Sequence, residues 1–197
     1  MAIGPVSLAT SPLNLPVAVS HVSDETLMER VRHDDLDQLT PLFERYHGPL
    51  FNFLLRLTGS RETSQDLVQN VFLRVLRYRA SYQPGQPFRA WLYQLARHVH
   101  HDHWQKNRVP ATDVNDFERT TTHRRAALAG MAATQEQAAL QEALSLLPVA
   151  QREILVLHRF QGFSYGEIGE LLACSEGAAR VRAHRALEAL RQVYFEL

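Results

Sequence analysis

Four histidines crowd the run His98-Val99-His100-His101-Asp102-His103, and they raise the question of a metal. On a helix His98 and His101 lie three apart with Asp102 adjacent, enough for two ligands. No cysteine or carboxylate-rich motif accompanies them to complete a set. A helix face that meets nucleic acid accounts for the same residues, so no metal and no cofactor is expected. Catalysis needs a further constellation. The chain has no Gly-rich phosphate loop, no paired acid motif and no nucleophile elbow. No catalytic residues are assigned, and an enzyme is not expected.

A second chemistry is better supplied. From Tyr82 to Arg108, Phe88, Trp91, Tyr93 and Trp104 are interleaved with Arg89, Arg97, Lys106 and Arg108. Aromatic rings stack on unpaired bases and cations hold the backbone of a single strand. Together they offset the few kcal/mol that each unpairing step costs. Some of these aromatics also serve a core at helical spacing, Trp91 foremost. A third group is Arg180, Arg182, Arg185 and Arg191 near the C-terminus.

The charge totals hide this. There are 21 basic and 21 acidic residues, but residues 41–109 hold 10 basic against 4 acidic, while 1–40 hold 2 against 6. The basic segments suit phosphate, and the acidic start cancels them only on paper.

These side chains need helices to position them. Ser23-Asp24-Glu25-Thr26 opens a first helix with Leu27, Met28 and Val31 inward. A second is predicted from Pro41 to Leu57, ending at Gly59. Thr63-Ser64-Gln65-Asp66 resembles a capping box for a third, with Leu67, Val68, Val71, Phe72, Val75 and Leu76 on its buried face. Gln83-Pro84-Gly85-Gln86-Pro87 must be a loop, and a fourth helix runs from Phe88 to about Asn107. Residues 110–134 lose periodicity and are read as a flexible linker. Helices resume at Gln135, with Val149–Gln161, Ser164–Leu172 and Ser175–Tyr194 predicted in turn. The expected fold is all-α: a four-helix domain over 23–109 and a C-terminal helix-turn-helix domain over 135–197, after a flexible tail over 1–22.

The helix-turn-helix has specific marks. Ser164-Tyr165-Gly166-Glu167 is a capping box, and Ala173-Cys174-Ser175 leaves room only for a tight turn, with Ser175 as N-cap of the second helix. At 100° per residue Ala179, Ala183, Ala186, Leu187 and Leu190 share one stripe. Gly177, Ala178, Val181, His184 and Arg185 lie opposite, flanked by Arg180 and Arg182. Small residues let such a helix enter a major groove, where Arg185 suits a guanine edge, Val181 a thymine methyl and the flanking arginines phosphate.

Taken together, Asp66-Leu67-Val68-Gln69-Asn70-Val71-Phe72-Leu73-Arg74-Val75-Leu76-Arg77, Phe88-Arg89-Ala90-Trp91-Leu92-Tyr93-Gln94-Leu95-Ala96-Arg97, Leu147–Glu153 and Gly162–Ile168 resemble the signature segments of bacterial sigma factors, in the right order. Only two domains are present, which resembles the extracytoplasmic-function group of the sigma-70 family. The resemblance implies that Asp66, Gln69, Asn70 and Arg74 face core RNA polymerase. It implies that Tyr82–Pro87 with Phe88 and Arg89 forms a pocket for a flipped −10 base, and that Trp91, Tyr93, Gln94, Arg97 and His98 line the non-template strand. Ser175, Gly177, Ala178, Arg180, Val181, Arg182, His184 and Arg185 would read −35 duplex. Asn70 stands where the family usually has an acid, and His98 where it commonly has Asn. Gly177-Ala178-Ala179-Arg180-Val181-Arg182 replaces a common Gly-Thr-Val-Lys-Ser-Arg, so the loss of hydroxyls implies a non-standard −35 sequence. An anti-sigma partner is a further implication. A dimeric operator-binding repressor would leave the Asp66–Arg77 helix without a role. A metal enzyme built on the histidines lacks its nucleophile.

The single Cys174 suits a reducing cytoplasm, and no apolar run approaches the roughly 18–20 residues of a membrane span. Met1–His21 lacks the basic start and apolar block of a signal peptide. A cytoplasmic protein, monomeric when free of polymerase and without membrane insertion, is expected.

Overall fold

A computed structural model describes residues 22–106 and 135–196. The tail expected over 1–22, save its last residue Val22, and the linker expected over 110–134 lie outside the described residues, as do Asn107 and Arg108. Among the described residues the regular structure is entirely helical, and no helix is long and apolar enough to cross a membrane.

The N-terminal lobe is built from α1 (Asp24–Arg32), α2 (Leu39–Thr58), α3 (Arg61–Tyr78) and α4 (Phe88–Lys106). Ser23 caps α1 by accepting from the Thr26 amide, with Asp24 and Glu25 at the positive end of its dipole. Helix α2 starts two residues before Pro41, which stands in its first turn, where a missing N–H is tolerated. Gly59 ends it at φ +70°, a left-handed geometry that glycine adopts without strain.

The start of α3 corrects the expected capping box at Thr63. Ser60 is the cap, its hydroxyl accepting from the Thr63 amide, and Thr63 to Asp66 already lie inside the helix. Buried Ser64 donates to the Ser60 carbonyl at 2.6 Å, so its polar group is satisfied within the same turn. The first amide of α4, on Phe88, is held from another helix: the Glu25 carboxylate of α1 accepts from it at 3.1 Å.

The C-terminal lobe holds α5 (Gln135–Leu146), α6 (Val149–Leu155), α7 (Tyr165–Leu171) and α8 (Glu176–Glu196). The helix expected to run unbroken over Val149–Gln161 instead widens into a π-turn over Val156–Phe160. Such a turn re-aims the chain end, here carrying Phe160 and Gln161 toward α2 and α4. Both marks of the Ser164–Glu167 capping box are present, and Ser175 caps α8 by accepting from the Ala178 amide. The tight turn puts Ala173 at φ +51°. It also brings the Cys174 amide onto the Gly169 carbonyl at 2.8 Å. A Cβ on Gly169 would sit 2.7 Å from the Cys174 carbonyl oxygen, so only glycine lets the two helices approach this closely.

The lobes pack on one another. One contiguous apolar cluster runs from Leu27 and Phe53 through Tyr93 to Phe163, Ile168 and Ala186. Tyr93 is its hinge, edge-on to Phe53 on one side and to Phe163 on the other, with ring centres 5.2 and 5.0 Å apart.

Candidate nucleic-acid interface

Three helices present the residues singled out by sequence. On α3, Asp66, Gln69 and Asn70 are all exposed. The same stripe continues to Leu73, an apolar side chain 64% exposed. Arg74 is set apart: it donates to Asp102 of α4 at 2.6 Å and ties the two helices together. That hydrogen bond holds the Asp102 carboxyl below the usual carboxylate range.

The same ion pair removes Asp102 from the histidine reading. His98 and His101 are exposed while His100 is buried on another face of α4. Among the described residues no three His, Cys, Asp or Glu side chains gather where a metal would need them. Burial, with Arg152 and His103 adding repulsion, pushes the His100 imidazole down to about 4.

On α4 the aromatic side chains are placed differently from what their stacking chemistry suggested. Phe88, Trp91 and Tyr93 are 0, 7 and 1% exposed, so their rings face the core rather than a strand. Phe88 and Trp91 join Tyr82 and Tyr46 in an edge-to-face cluster that shapes the loop. Tyr82 closes that loop by donating to the Gln86 carbonyl, and Gly85 turns it at φ +82°. Burial pushes the Tyr82 phenol up to about 12. Gln94 and His98 remain exposed.

Arg89, Tyr93 and Arg97 are engaged by the other lobe. Arg89 donates to the Gln161 carbonyl and stacks 4.0 Å over the Phe163 ring. The Tyr93 hydroxyl donates to the Gln161 side chain at 2.5 Å, and burial raises its pKa above the ordinary phenol value. Arg97 pairs with Glu153 at 2.8 Å and donates to the Leu171 carbonyl. Behind them Arg152, 4% exposed, donates to the Leu57 carbonyl at 2.6 Å and to those of Ser145 and Leu147 at 2.6 and 3.0 Å. One guanidinium therefore holds the C-terminal carbonyls of helices from both lobes, where the helix dipoles favour a cation.

On α8 the predicted division holds. Ala179, Ala183 and Ala186 are buried, while Gly177, Arg180, Val181, Arg182, His184 and Arg185 are exposed and Ala178 is half-buried. Val181 is 49% exposed, unusual for a branched aliphatic side chain on a helix with a packed face. Arg180 pairs with Glu176 one turn back. The Ser175 hydroxyl is occupied by its cap.

A helix-turn-helix lobe joined to a four-helix lobe with an exposed polar stripe is an arrangement shared with known proteins. Residues 42–109 match the family model for sigma-70 region 2, and residues 137–190 that for sigma-70 region 4. The RNA polymerase sigma factor CarQ of Myxococcus xanthus is 35% identical over 170 residues, covering 86% of this chain and 97% of that one. The structure of CnrH in complex with the cytosolic domain of CnrY superposes with a TM-score of 0.65 at 25% identity, covering 86% of this chain and 96% of that one. The sigma factor RpoE of Bartonella quintana, solved in complex with the anti-sigma factor NepR, shares the fold, with a TM-score of 0.61 at 21% identity over 79% of this chain and 95% of that one. The chain belongs to the sigma-70 family, in its extracytoplasmic-function group of RNA polymerase sigma factors. Its function is promoter-specific transcription initiation.

Proposed function

We propose that the chain divides its work among three surfaces. The α3 stripe of Asp66, Gln69, Asn70 and Leu73 docks on core RNA polymerase. With Asn70 in place of an acid, that contact is a hydrogen bond rather than an ion pair. Gln94 and His98, joined by Arg89 and Arg97 once these are released, hold the unpaired −10 strand beside the Tyr82–Pro87 loop, whose shape the buried Phe88 and Trp91 maintain. The outer face of α8 reads −35 duplex through Val181, His184 and Arg185, with Arg180 and Arg182 on phosphates. The protein supplies recognition and leaves the chemistry to polymerase in the cytoplasm.

Because Arg89, Tyr93 and Arg97 are bonded to the C-terminal lobe, strand capture requires the lobes to part. Polymerase docking provides the occasion, and an anti-sigma partner acts by preventing it. The observation that carries the reading is the exposed α3 stripe, which a self-sufficient operator-binding protein would not need. Run-off transcription on a random promoter library tests it. Transcripts from a defined sequence class are expected only with core polymerase and this chain together. Tight binding to a duplex without polymerase, with no run-off product, would overturn the reading.

A further inference from the structure

Where α1, α2 and α4 meet the π-turn of the other lobe lies a cavity of about 560 Å³, within the size range of small-molecule sites. Arg45, Arg56 and Arg89 line it against one carboxylate, Asp24. Asp24 is already engaged, accepting from both Arg45 and the Tyr46 hydroxyl. Among the described residues neither Arg56 nor Arg89 forms an ion pair.

Neutral groups hold these two arginines instead. Arg56 donates to the Asn52 carbonyl at 3.2 Å and lies 4.2 Å over the Phe160 ring. Arg89 donates to the Gln161 carbonyl and lies over Phe163. Burial, with no acid to offset it, lowers the Arg56 pKa from its ordinary value. Two partly desolvated cations facing one cavity focus positive potential into it. A guanidinium fork matches phosphate oxygens bidentately, and the volume accommodates more than one phosphate group.

We propose that this cavity binds a free anion of the phosphate class, such as pyrophosphate or a nucleoside diphosphate. Arg56 and Arg89 come from the N-terminal lobe, and Phe160 and Gln161 form the opposite wall. An anion held here binds the closed arrangement better than an open one and stabilises it by linkage. It thereby opposes capture of the −10 strand. That consequence rests on the function proposed above, whereas the binding itself does not.

Calorimetry with the full chain at low salt tests it, using inorganic pyrophosphate, guanosine diphosphate and a mixed-sequence single-stranded 12-mer without terminal phosphate. Pyrophosphate and the diphosphate are expected to saturate one site. Arg56→Gln weakens them by about tenfold, the effect of losing a charge-assisted pair of bonds. Glu153→Gln raises a minor open population and leaves their affinity nearly unchanged, because the closed arrangement still dominates. Arg191→Gln removes a distant positive charge and leaves them unchanged. If Arg56→Gln does not fold, Arg56→Lys keeps the charge without the fork and is expected to bind severalfold more weakly.

Absence of saturable binding overturns the proposal. So does equal weakening by Arg191→Gln, which would mark diffuse attraction. Tighter binding of the 12-mer than of pyrophosphate, dependent on Arg56, would assign the cavity to the strand path instead. Run-off activity reads the proposed function separately. Normal transcription without anion binding sinks only this inference, and binding without transcription sinks only the function.

Discussion

Helices α4 and α8 both carry arginines assigned to DNA, yet what covers them is opposite. Arg182, His184 and Arg185 of α8 stand in solvent, and the Arg180 ion pair with Glu176 stays within the helix. Arg89, Tyr93 and Arg97 of α4 are bonded across to Gln161, Glu153 and Leu171. The difference follows from what each face is proposed to bind. A duplex is read from outside by side chains that remain in water until contact. A single strand needs cations and hydroxyls at a partly apolar surface, and such groups find partners in the chain itself when no strand is present. The face proposed for −35 duplex is therefore preformed and the face proposed for the −10 strand conditional.

The strongest way to break this contrast is to remove what joins the lobes. Arg152→Ala deletes three hydrogen bonds from a guanidinium to buried or half-buried carbonyls. A loss of about 4 kcal/mol is expected in urea unfolding. Hydrogen exchange should rise together at the ends of α2 and α5. A loss confined to the C-terminal lobe would show that Arg152 serves only its own lobe.

His100 faces the same guanidinium, and its protonation sets the pH dependence. Its folded pKa of about 4 lies below the ordinary histidine value of 6.5. As pH falls through that window the unfolded chain takes up a proton that the folded chain refuses. Stability is full above about 6.5 and declines toward 4, by roughly 3 kcal/mol at most. Urea midpoints compared at pH 7 and pH 5 test it. His100→Gln should flatten the difference, and an unchanged slope in that variant would assign the effect to another group.

Within the preformed face, Gly169→Ala places a methyl 2.7 Å from a backbone oxygen that has no rotamer to move. About 2 kcal/mol of destabilisation is expected from overpacking. Loss of −35 footprinting should accompany it while polymerase binding persists, as followed by co-purification. Preserved footprinting at unchanged stability would mean the turn relaxes freely.

The sequence made the preformed face legible and left the conditional one hidden, for a physical reason. Caps, turns and alanine stripes are local: Ser164 with Glu167, or Ala179 with Ala183, lie within a few residues and leave a periodic trace. The inter-lobe contacts join residues far apart in the chain, as Arg152 to Leu57, and a side chain reaching a backbone carbonyl leaves no pattern in the residue it reaches. Phe88, Trp91 and Tyr93 show a related limit. Their ring chemistry suits stacking on bases and packing on neighbours equally, and only the surrounding helices decide which face is inward. Ser60 leaves a fainter trace than Thr63 to Asp66, which offer a more conspicuous capping pattern three residues later.

A smaller effect separates the docking face from the duplex-reading face. Arg185→Ala should weaken −35 binding by about 1–2 kcal/mol, as for one lost base contact, and spare core polymerase. Asp66→Arg should do the reverse. Both are readable by holoenzyme assembly and by footprinting on one promoter. Loss of assembly in Arg185→Ala would reassign α8 to the polymerase.

The finest test weakens the latch without touching either DNA face. Glu153→Gln replaces an ion pair whose side chains are 20 and 15% exposed, leaving Arg97 its bond to the Leu171 carbonyl. Losing one partly exposed pair costs about 1 kcal/mol, which raises the open population about fivefold. Binding of a single-stranded −10 oligonucleotide by the free chain should rise by that factor. Binding of −35 duplex should not change, because α8 is exposed in either arrangement. An equal rise for both ligands would show that added positive charge, not release of Arg97, is responsible. No rise for either would mean that Arg89 and Tyr93, still held by Gln161, keep the face closed by themselves. The double variant with Gln161→Ala would then be the one to open it.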